Sequence, residues 1–338
     1  MSENSDSLAK RVLAGDRLSL ARLLTLIEND QSEGLAALNL LYPHSGQAHL
    51  VGITGAPGTG KSTIVNRLVQ HLKIAHSENY AGSEEPLPRI AIVAVDPSSP
   101  FTGGAILGDR IRMRDLSGDP DVFIRSMASR GALGGLAMAT SGVVEALDAA
   151  GYEYVLIETV GAGQAEVEIA RTAYTTIVID APGLGDDVQA IKAGILEIAD
   201  ILVVNKADRQ GADNTIKALK TVFTLVDHHT HSGEGQEVDD EIWIPEVLST
   251  IATRDEGLKE LAEAVIRHRQ FLESSGLRVS RARERIASQM EQILKDQLAM
   301  RFHQGQPDGK YEEILERVLM REIAPHQAIE LLIGGGEG

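Results

Sequence analysis

An apolar run, "HLVGIT", ends at Thr54 and is followed at once by Gly55-Ala56-Pro57-Gly58-Thr59-Gly60-Lys61-Ser62 and then by an amphipathic stretch. Two glycines with four residues between them, a third among those four, then a lysine and a hydroxyl, oblige the chain to turn sharply between a strand and a helix. Glycine lets the backbone curl so that successive N–H groups point inward, and the helix behind adds its positive end. Such a concavity suits a polyphosphate. In this pattern, a P-loop, Lys61 reaches the β- and γ-phosphates and the Ser62 hydroxyl ligates Mg2+, with Thr63 continuing the binding run.

The rest of the chain has the alternation that a P-loop needs. Short apolar runs, "HLVGIT", "IAIVAVD", "VFIRS", "YVLIET", "TTIVID", "ILVVNK" and "IWIPEVLS", are separated by longer amphipathic stretches. This predicts an α/β fold of the P-loop NTPase class, with a mostly parallel central sheet flanked by helices. Residues 8–41 carry Leu8, Val12, Leu20, Leu23, Leu24 and Ile27 at helical spacing, so 1–46 is expected as an N-terminal helical extension and 47–270 as the nucleotide domain. The polar stretches 76–89 and 227–240 are expected as exposed loops, and the histidines at 228, 229 and 231 as solvated. Past residue 270 only helical patterns remain. Ile286, Met290, Ile293, Leu294, Leu298 and Phe302 share one face, "QGQPDGK" interrupts, and 311–333 resume. A stripe without a strand to cover packs on the body or on another chain.

Composition narrows the partners. Lys+Arg 32 against Asp+Glu 49 leaves a net charge of −17, which disfavours nucleic acid and anionic membranes as bulk-charge partners. There is no cysteine, which excludes disulfides, Cys-ligated zinc and thiol catalysis. No run approaches the ~18 apolar residues of a membrane span, and "MSENSDSLAKRVLAGD" lacks a secretory apolar core. The expected location is the cytoplasm, although a processed organellar protein has the same features.

Acidic residues at strand ends are candidates for the metal. Glu158 closes "YVLIET", and Gly161 and Gly163 behind it would let a peptide N–H approach a γ-phosphate and withdraw after hydrolysis. Asp96 closes "IAIVAVD", and Asp109 follows in "VDPSSPFTGGAILGDRIRM". Asp109 reads equally as a helix N-cap. Gln164 either orients water or reports the nucleotide state. The base reader is "NKAD": Asn205 ties its loop to the P-loop, Lys206 lies along the base, and the Asp208 carboxylate accepts from guanine N1–H and N2–H2. Adenine offers no such pair, so GTP is favoured over ATP.

In these motifs taken together, the chain resembles the MeaB/ArgK G proteins, the GTPases associated with methylmalonyl-CoA mutase. The resemblance runs from Leu8 to about Arg285 through "LAGDRLSLARLLTLIEND", "GITGAPGTGKST", "VDPSSPFTGGAILGDRIRM", "ETVGAGQAE" and "GLGDDVQAIKAGILEIADILVVNKAD". It implies GTP/GDP on residues 55–62 and Mg2+ at Ser62, Asp96, Asp109 and Glu158. Switch segments would lie around 96–113 and 159–168. A third segment, 182–192, would answer an adenosylcobalamin-dependent acyl-CoA mutase through Asp187, Gln189 and Lys192, although Lys192 reads also as a solvated helix residue. It implies a homodimer, and the apolar stripe past residue 270 is expected to form it, making 271–338 a C-terminal helical dimerisation arm. Where the family often has Ser-Ala against the guanine O6, this chain has Ile251-Ala252, so the Ala252 amide would serve. The family more often has Val at 162 and Ser or Thr at 165, where this chain has Ala162 and Ala165. The implied function is a GTP-hydrolysing chaperone coupling nucleotide state to cofactor loading and mutase protection. The alternatives are a kinase acting on a transport protein and a metallochaperone GTPase.

Overall fold

The structure is a computed structural model and describes residues 3–79, 86–97, 116, 118–129, 135–159, 172–183, 198–230, 242–305 and 309–334. Contacts divide it into two compact units, Met1–Ser288 and Gln289–Gly338.

The first unit opens with α1 (Glu3–Leu13), α2 (Arg17–Glu28) and α3 (Ser32–Leu41). Asp16 starts α2 by accepting the amides of Leu18 and Ser19. Seven strands follow: β1 (His49–Thr54), β2 (Ile90–Pro97), β3 (Val122–Ser129), β4 (Tyr154–Thr159), β5 (Thr175–Asp180), β6 (Ile201–Asn205) and β7 (Glu246–Thr250). Between and after them lie α4 (Lys61–Asn79), α5 (Gly135–Ala149), α6 (Ala212–Thr230) and α7 (Leu258–Ser274). All strand pairs are parallel, in the order β3-β2-β4-β1-β5-β6-β7.

The seven apolar runs are the seven strands because both faces of the sheet are covered. On one face Leu50, Val93, Val155 and Ile157 pack with Leu8, Leu23, Leu24 and Val144 from the extension and α5. On the other, Val51, Ile53, Ile92 and Ile177 pack with Ile64, Leu68 and Leu72 of α4 and Leu261 and Val265 of α7. Strands buried on both sides read as continuous apolar runs. The extension is tied on by polar contacts as well. Arg17 donates to the carbonyls of Pro120 and Val122 beside the edge strand β3, and Arg125 donates to Glu28.

Three boundaries differ from the sequence reading. β7 begins at Glu246 rather than at Ile242, because Pro245 has no N–H for the ladder. Trp243 instead packs its ring 4.6 Å from that of His268 and donates Nε1–H to the Asp200 carbonyl at 2.9 Å. The stretches expected as loops from 76 and 227 begin as helix: α4 runs to Asn79 and α6 to Thr230. Glycine, the first breaker in each, comes only at Gly82 and Gly233.

At the amino edge of the sheet a polar chain is buried. His49 Nε2 and His268 Nδ1 each lie 2.7 Å from the Thr175 hydroxyl, and His268 Nε2 lies 3.3 Å from Asp200 Oδ1. Arg281 donates to both carboxylate oxygens of Asp200 at 3.0 and 2.8 Å. Burial opposes ionisation of Asp200, but bonds from His268 and Arg281 outweigh it and hold the carboxyl below its usual range.

α8 (Leu277–Gly305) runs from the first unit into the second, where α9 (Lys310–Leu319) and α10 (Pro325–Gly334) follow. The second unit has its own small core of Ile314, Ala328 and Leu332, with Phe302, Val318 and Ile323 against it. Phe302 therefore leaves the predicted stripe. Met290, Leu294 and Leu298 are 65%, 57% and 56% exposed. No helix among the described residues is long and apolar enough to cross a membrane.

Candidate functional site

Those candidate residues that the structure describes gather at the carboxyl edge of the sheet, where ligands bind in open α/β folds. The turn after β1 is forced into shape by its neighbours. Gly55 has φ +141°, and a Cβ there would lie 2.0 Å from the Ile179 carbonyl oxygen. Gly60 has φ +99°, and a Cβ there would lie 2.4 Å from Asn205 Nδ2. Thr59 closes the turn by donating its amide and its hydroxyl to the Ala56 carbonyl, at 3.3 and 2.9 Å. α4 then starts at Lys61, so its N-terminus faces the cradle. Ala56, Pro57 and Gly58 are exposed at the rim, as is Thr63 on the first turn.

Lys61 folds back over the loop, its Nζ donating to the Gly55 and Ala56 carbonyls at 2.8 and 3.1 Å. Ser62 donates its hydroxyl hydrogen to Glu158 Oε1 at 2.6 Å, and both residues are buried. Glu158 lies opposite Ile53 of β1 and Ala94 of β2, so the sheet register delivers it beside the loop. A hydroxyl and a carboxylate brought together, all hard oxygen donors, fit Mg2+ and its water shell. Among the described residues no group of three His, Cys, Asp or Glu could hold a metal by itself. Asp96 is the penultimate residue of β2, with its side chain outside the described residues. Asp109, Gly161, Gln164 and Lys192, with Asp187 and Gln189, also lie outside them.

The base loop is joined to the phosphate loop through one side chain. Asn205 Nδ2 donates to the Thr59 carbonyl at 2.7 Å, while Oδ1 accepts the Thr250 hydroxyl and the Ala252 amide, each at 3.1 Å. The amide expected at a guanine O6 is thus engaged by Asn205. Lys206, at φ +57°, donates Nζ–H to the Gly58 carbonyl. Asp208 Oδ2 stands 3.5 Å from Arg254 Nη2.

Three groups here are new to the sequence reading. Thr250 and Arg254 reach the site only through folding. Asp180 ends β5, with Oδ1 accepting the Ala181 amide at 2.8 Å. Burial pushes its carboxyl up, against that bond. The signal that singled out Asp96 and Glu158, an acid closing an apolar run, points to Asp180 too.

Glycine cradle, lysine, hydroxyl–carboxylate pair and base loop at one sheet edge define a P-loop nucleotide-binding protein of the GTPase type. Residues 20–307 match the family described as methylmalonyl Co-A mutase-associated GTPase MeaB, and the chain belongs to that family. A Pyrococcus abyssi protein named as a GTPase is 45% identical over 98% of both chains. GTPase ArgK of Escherichia coli is 33% identical over 96% of this chain and 94% of its own. The methylmalonic aciduria type A homolog, mitochondrial, of Caenorhabditis elegans is 29% identical over 98% of this chain and 82% of its own. A crystal structure of a LAO/AO transport system kinase superposes with a TM-score of 0.68 at 25% identity, covering 100% of this chain and 99% of that one.

Proposed function

We propose that this protein binds GTP with Mg2+, hydrolyses it to GDP and phosphate, and acts as a chaperone for an adenosylcobalamin-dependent acyl-CoA mutase. The observation that carries the reading is the Asn205 side chain, which joins phosphate loop to base loop and makes one site of two motifs. On binding, Lys61 would exchange the Gly55 and Ala56 carbonyls for the β- and γ-phosphates. The Ser62 hydroxyl would turn its lone pairs to Mg2+, with Glu158, and Asp96 and Asp109 from flanking segments, on the metal's waters. Bound Mg2+ would neutralise charge on the phosphate oxygens. Asp208 would read guanine N1–H and N2–H2. Gly161 and Gln164 would sense the γ-phosphate.

The mutase partner is supported by the family's description and by the relative named for methylmalonic aciduria. Lys192 and its segment would answer that partner in the cytoplasm. The exposed apolar face of α8, Met290, Ile293, Leu294 and Leu298, would form a homodimer. In light scattering, Leu294→Glu with Leu298→Glu should give a monomer that still binds GDP.

Purified protein with GTP should release inorganic phosphate, Lys61→Ala should not, and the protein loaded with a non-hydrolysable GTP analogue should retain the mutase from its own organism. A kinase on a transport protein is the second reading, favoured by the name of the superposing structure. Phosphate found on an acceptor protein rather than free in solution would decide for it.

A further inference from the structure

We propose that Arg254 is a positioning residue of the base site, holding the Asp208 carboxylate turned toward an incoming guanine. This rests on the reading of Asp208 given above. Arg254 Nη2 lies 3.5 Å from Asp208 Oδ2, with the side chains 59% and 39% exposed. An ion pair so open contributes little to folding, so its place at the specificity carboxylate is better explained by the ligand than by the fold.

The loop that presents Arg254 is fixed from several sides. Ala252 and Arg254 belong to one short 3-10 turn, and the Ala252 amide is held by Asn205 at 3.1 Å. The Arg254 amide donates to the Ile251 carbonyl at 2.8 Å, and the Ile251 amide to the Glu256 carbonyl at 3.0 Å. Behind it Gly257, at φ +77°, lies so close to β7 that a Cβ would meet the Ser249 carbonyl oxygen at 2.2 Å.

The acid next to Arg254 in sequence does not compete for it. Asp255 takes a left-handed backbone, φ +61°, and its carboxylate meets His71 Nε2 at 3.0 Å and Arg67 Nε at 4.0 Å, both on the helix that begins at the phosphate loop. The guanidinium of Arg254 is thereby directed to Asp208.

A carboxylate offers about four lone-pair sites on two oxygens. Guanine N1–H and N2–H2 use one on each. Arg254 stands 3.5 Å from Oδ2 as an ion-pair partner, so arginine and base can engage the carboxylate together and the arginine's charge holds it facing the base. Without it, a side chain more than a third exposed must be ordered by the nucleotide alone.

The test compares GDP, IDP and ADP affinities of wild type, Arg254→Ala, Arg254→Lys, Asp208→Ala and the Asp208→Ala/Arg254→Ala double variant. Inosine lacks the 2-amino group and makes only the N1–H bond. Arg254→Ala should weaken GDP by roughly two- to fivefold, the weight of one exposed ion pair. IDP should weaken less and ADP not at all, and Arg254→Lys should recover part of the GDP loss. In the Asp208→Ala background, Arg254→Ala should change nothing further. Equal loss of all three nucleotides, an unchanged GDP-to-IDP ratio, or an Arg254 effect that persists without Asp208 would overturn the proposal. If Asp208→Ala itself keeps the wild-type preference for GDP over ADP, the base reading fails, and this inference with it. If only the Arg254 arms fail, the base reading stands.

Discussion

The side-chain oxygen of Asn205 accepts the backbone N–H of Ala252 at 3.1 Å, and its amide nitrogen donates to Thr59, 146 positions away in sequence, at 2.7 Å. One buried side chain thus holds two loops in register. Asn205→Ala removes three hydrogen bonds at a buried position and leaves their partners to find others. The expected cost is about 2–4 kcal/mol of stability, with weaker binding of every nucleotide. Thr250→Val removes one of the three and should cost about 1 kcal/mol. Urea unfolding and GDP calorimetry on both variants check this. Equal losses from the two would mean that the hub is not Asn205.

The first and second glycines of the phosphate loop face different surroundings. A Cβ on Gly55 would strike the Ile179 backbone at 2.0 Å, whereas one on Gly58, at φ +84°, would meet nothing within 4 Å. Gly58→Ala should therefore fold, with a strain penalty of about 1–2 kcal/mol. Gly55→Ala must push β5 away from β1 and should cost more than about 3 kcal/mol or fail to fold. Comparable melting temperatures for the two variants would contradict this geometry.

Glu158 and Ser62 meet at 2.6 Å where the proposed Mg2+ would bind. Glu158→Gln keeps an acceptor for the hydroxyl and removes the charge. The Mg2+ concentration for half-maximal hydrolysis should rise about 10–100-fold, the usual cost of losing an outer-shell carboxylate. Saturating Mg2+ should restore the rate. An unchanged Mg2+ titration would mean that Glu158 serves the fold and not the metal.

The buried His49 makes stability depend on pH. Burial pushes His49 well below its ordinary 6.5, and the charges of Arg269 and His268 on α7 and Arg278 on α8 push the same way, while Asp200 opposes them. The folded protein keeps this ring neutral, but the unfolded chain takes up a proton below about pH 6.5. The unfolded state then binds more protons, so stability is complete above that pH and falls beneath it, by about 1.4 kcal/mol per pH unit until the folded ring also titrates. His49→Gln keeps a hydrogen-bonding amide for the Thr175 hydroxyl and should flatten the profile between about pH 6.5 and 5. Chemical denaturation at several pH values reads this, and identical slopes for variant and wild type would exclude His49 as the source.

How much the sequence shows depends on the range of the interaction. The strands are legible because each apolar run is one strand buried on both faces, and β7 is misread only where Pro245 removes a donor. Gly55 to Ser62 and Asn205 to Asp208 are legible because a turn with its ligand groups occupies a few consecutive residues. Arg254 is not legible, because its meaning comes from Asp208 across two strands. Nor is the amino-edge chain, in which His49 and Thr175 stand 126 positions apart. Polarity alone does not end a helix, which is why α4 and α6 continue into the first residues of the polar stretches, to Asn79 and Thr230.

Besides its apolar packing and the contacts of Arg17 and Arg125, the extension meets β1 at a junction gathered by one carboxylate, and this can be tested apart from the nucleotide. Asp148, near the end of α5, accepts the consecutive amides of Gly46, Gln47 and Ala48 at 2.6, 3.1 and 2.9 Å. These residues lead from α3 into β1, and both Ala48 and Asp148 are buried. Asp148→Ala would strip three donors of a charged partner and leave the Ala48 amide inside the protein. The expected loss is about 2–5 kcal/mol. Asp148→Asn keeps one accepting oxygen and should lose about half as much. The nucleotide site lies at the other end of β1, about 20 Å away at ~3.3 Å per residue, so GDP affinity should stay within about twofold in both variants. A shift of the urea midpoint without a change in its slope would locate the effect in the folded state. If Asp148→Ala is as stable as wild type, water replaces the carboxylate at these amides and the junction has some other lock.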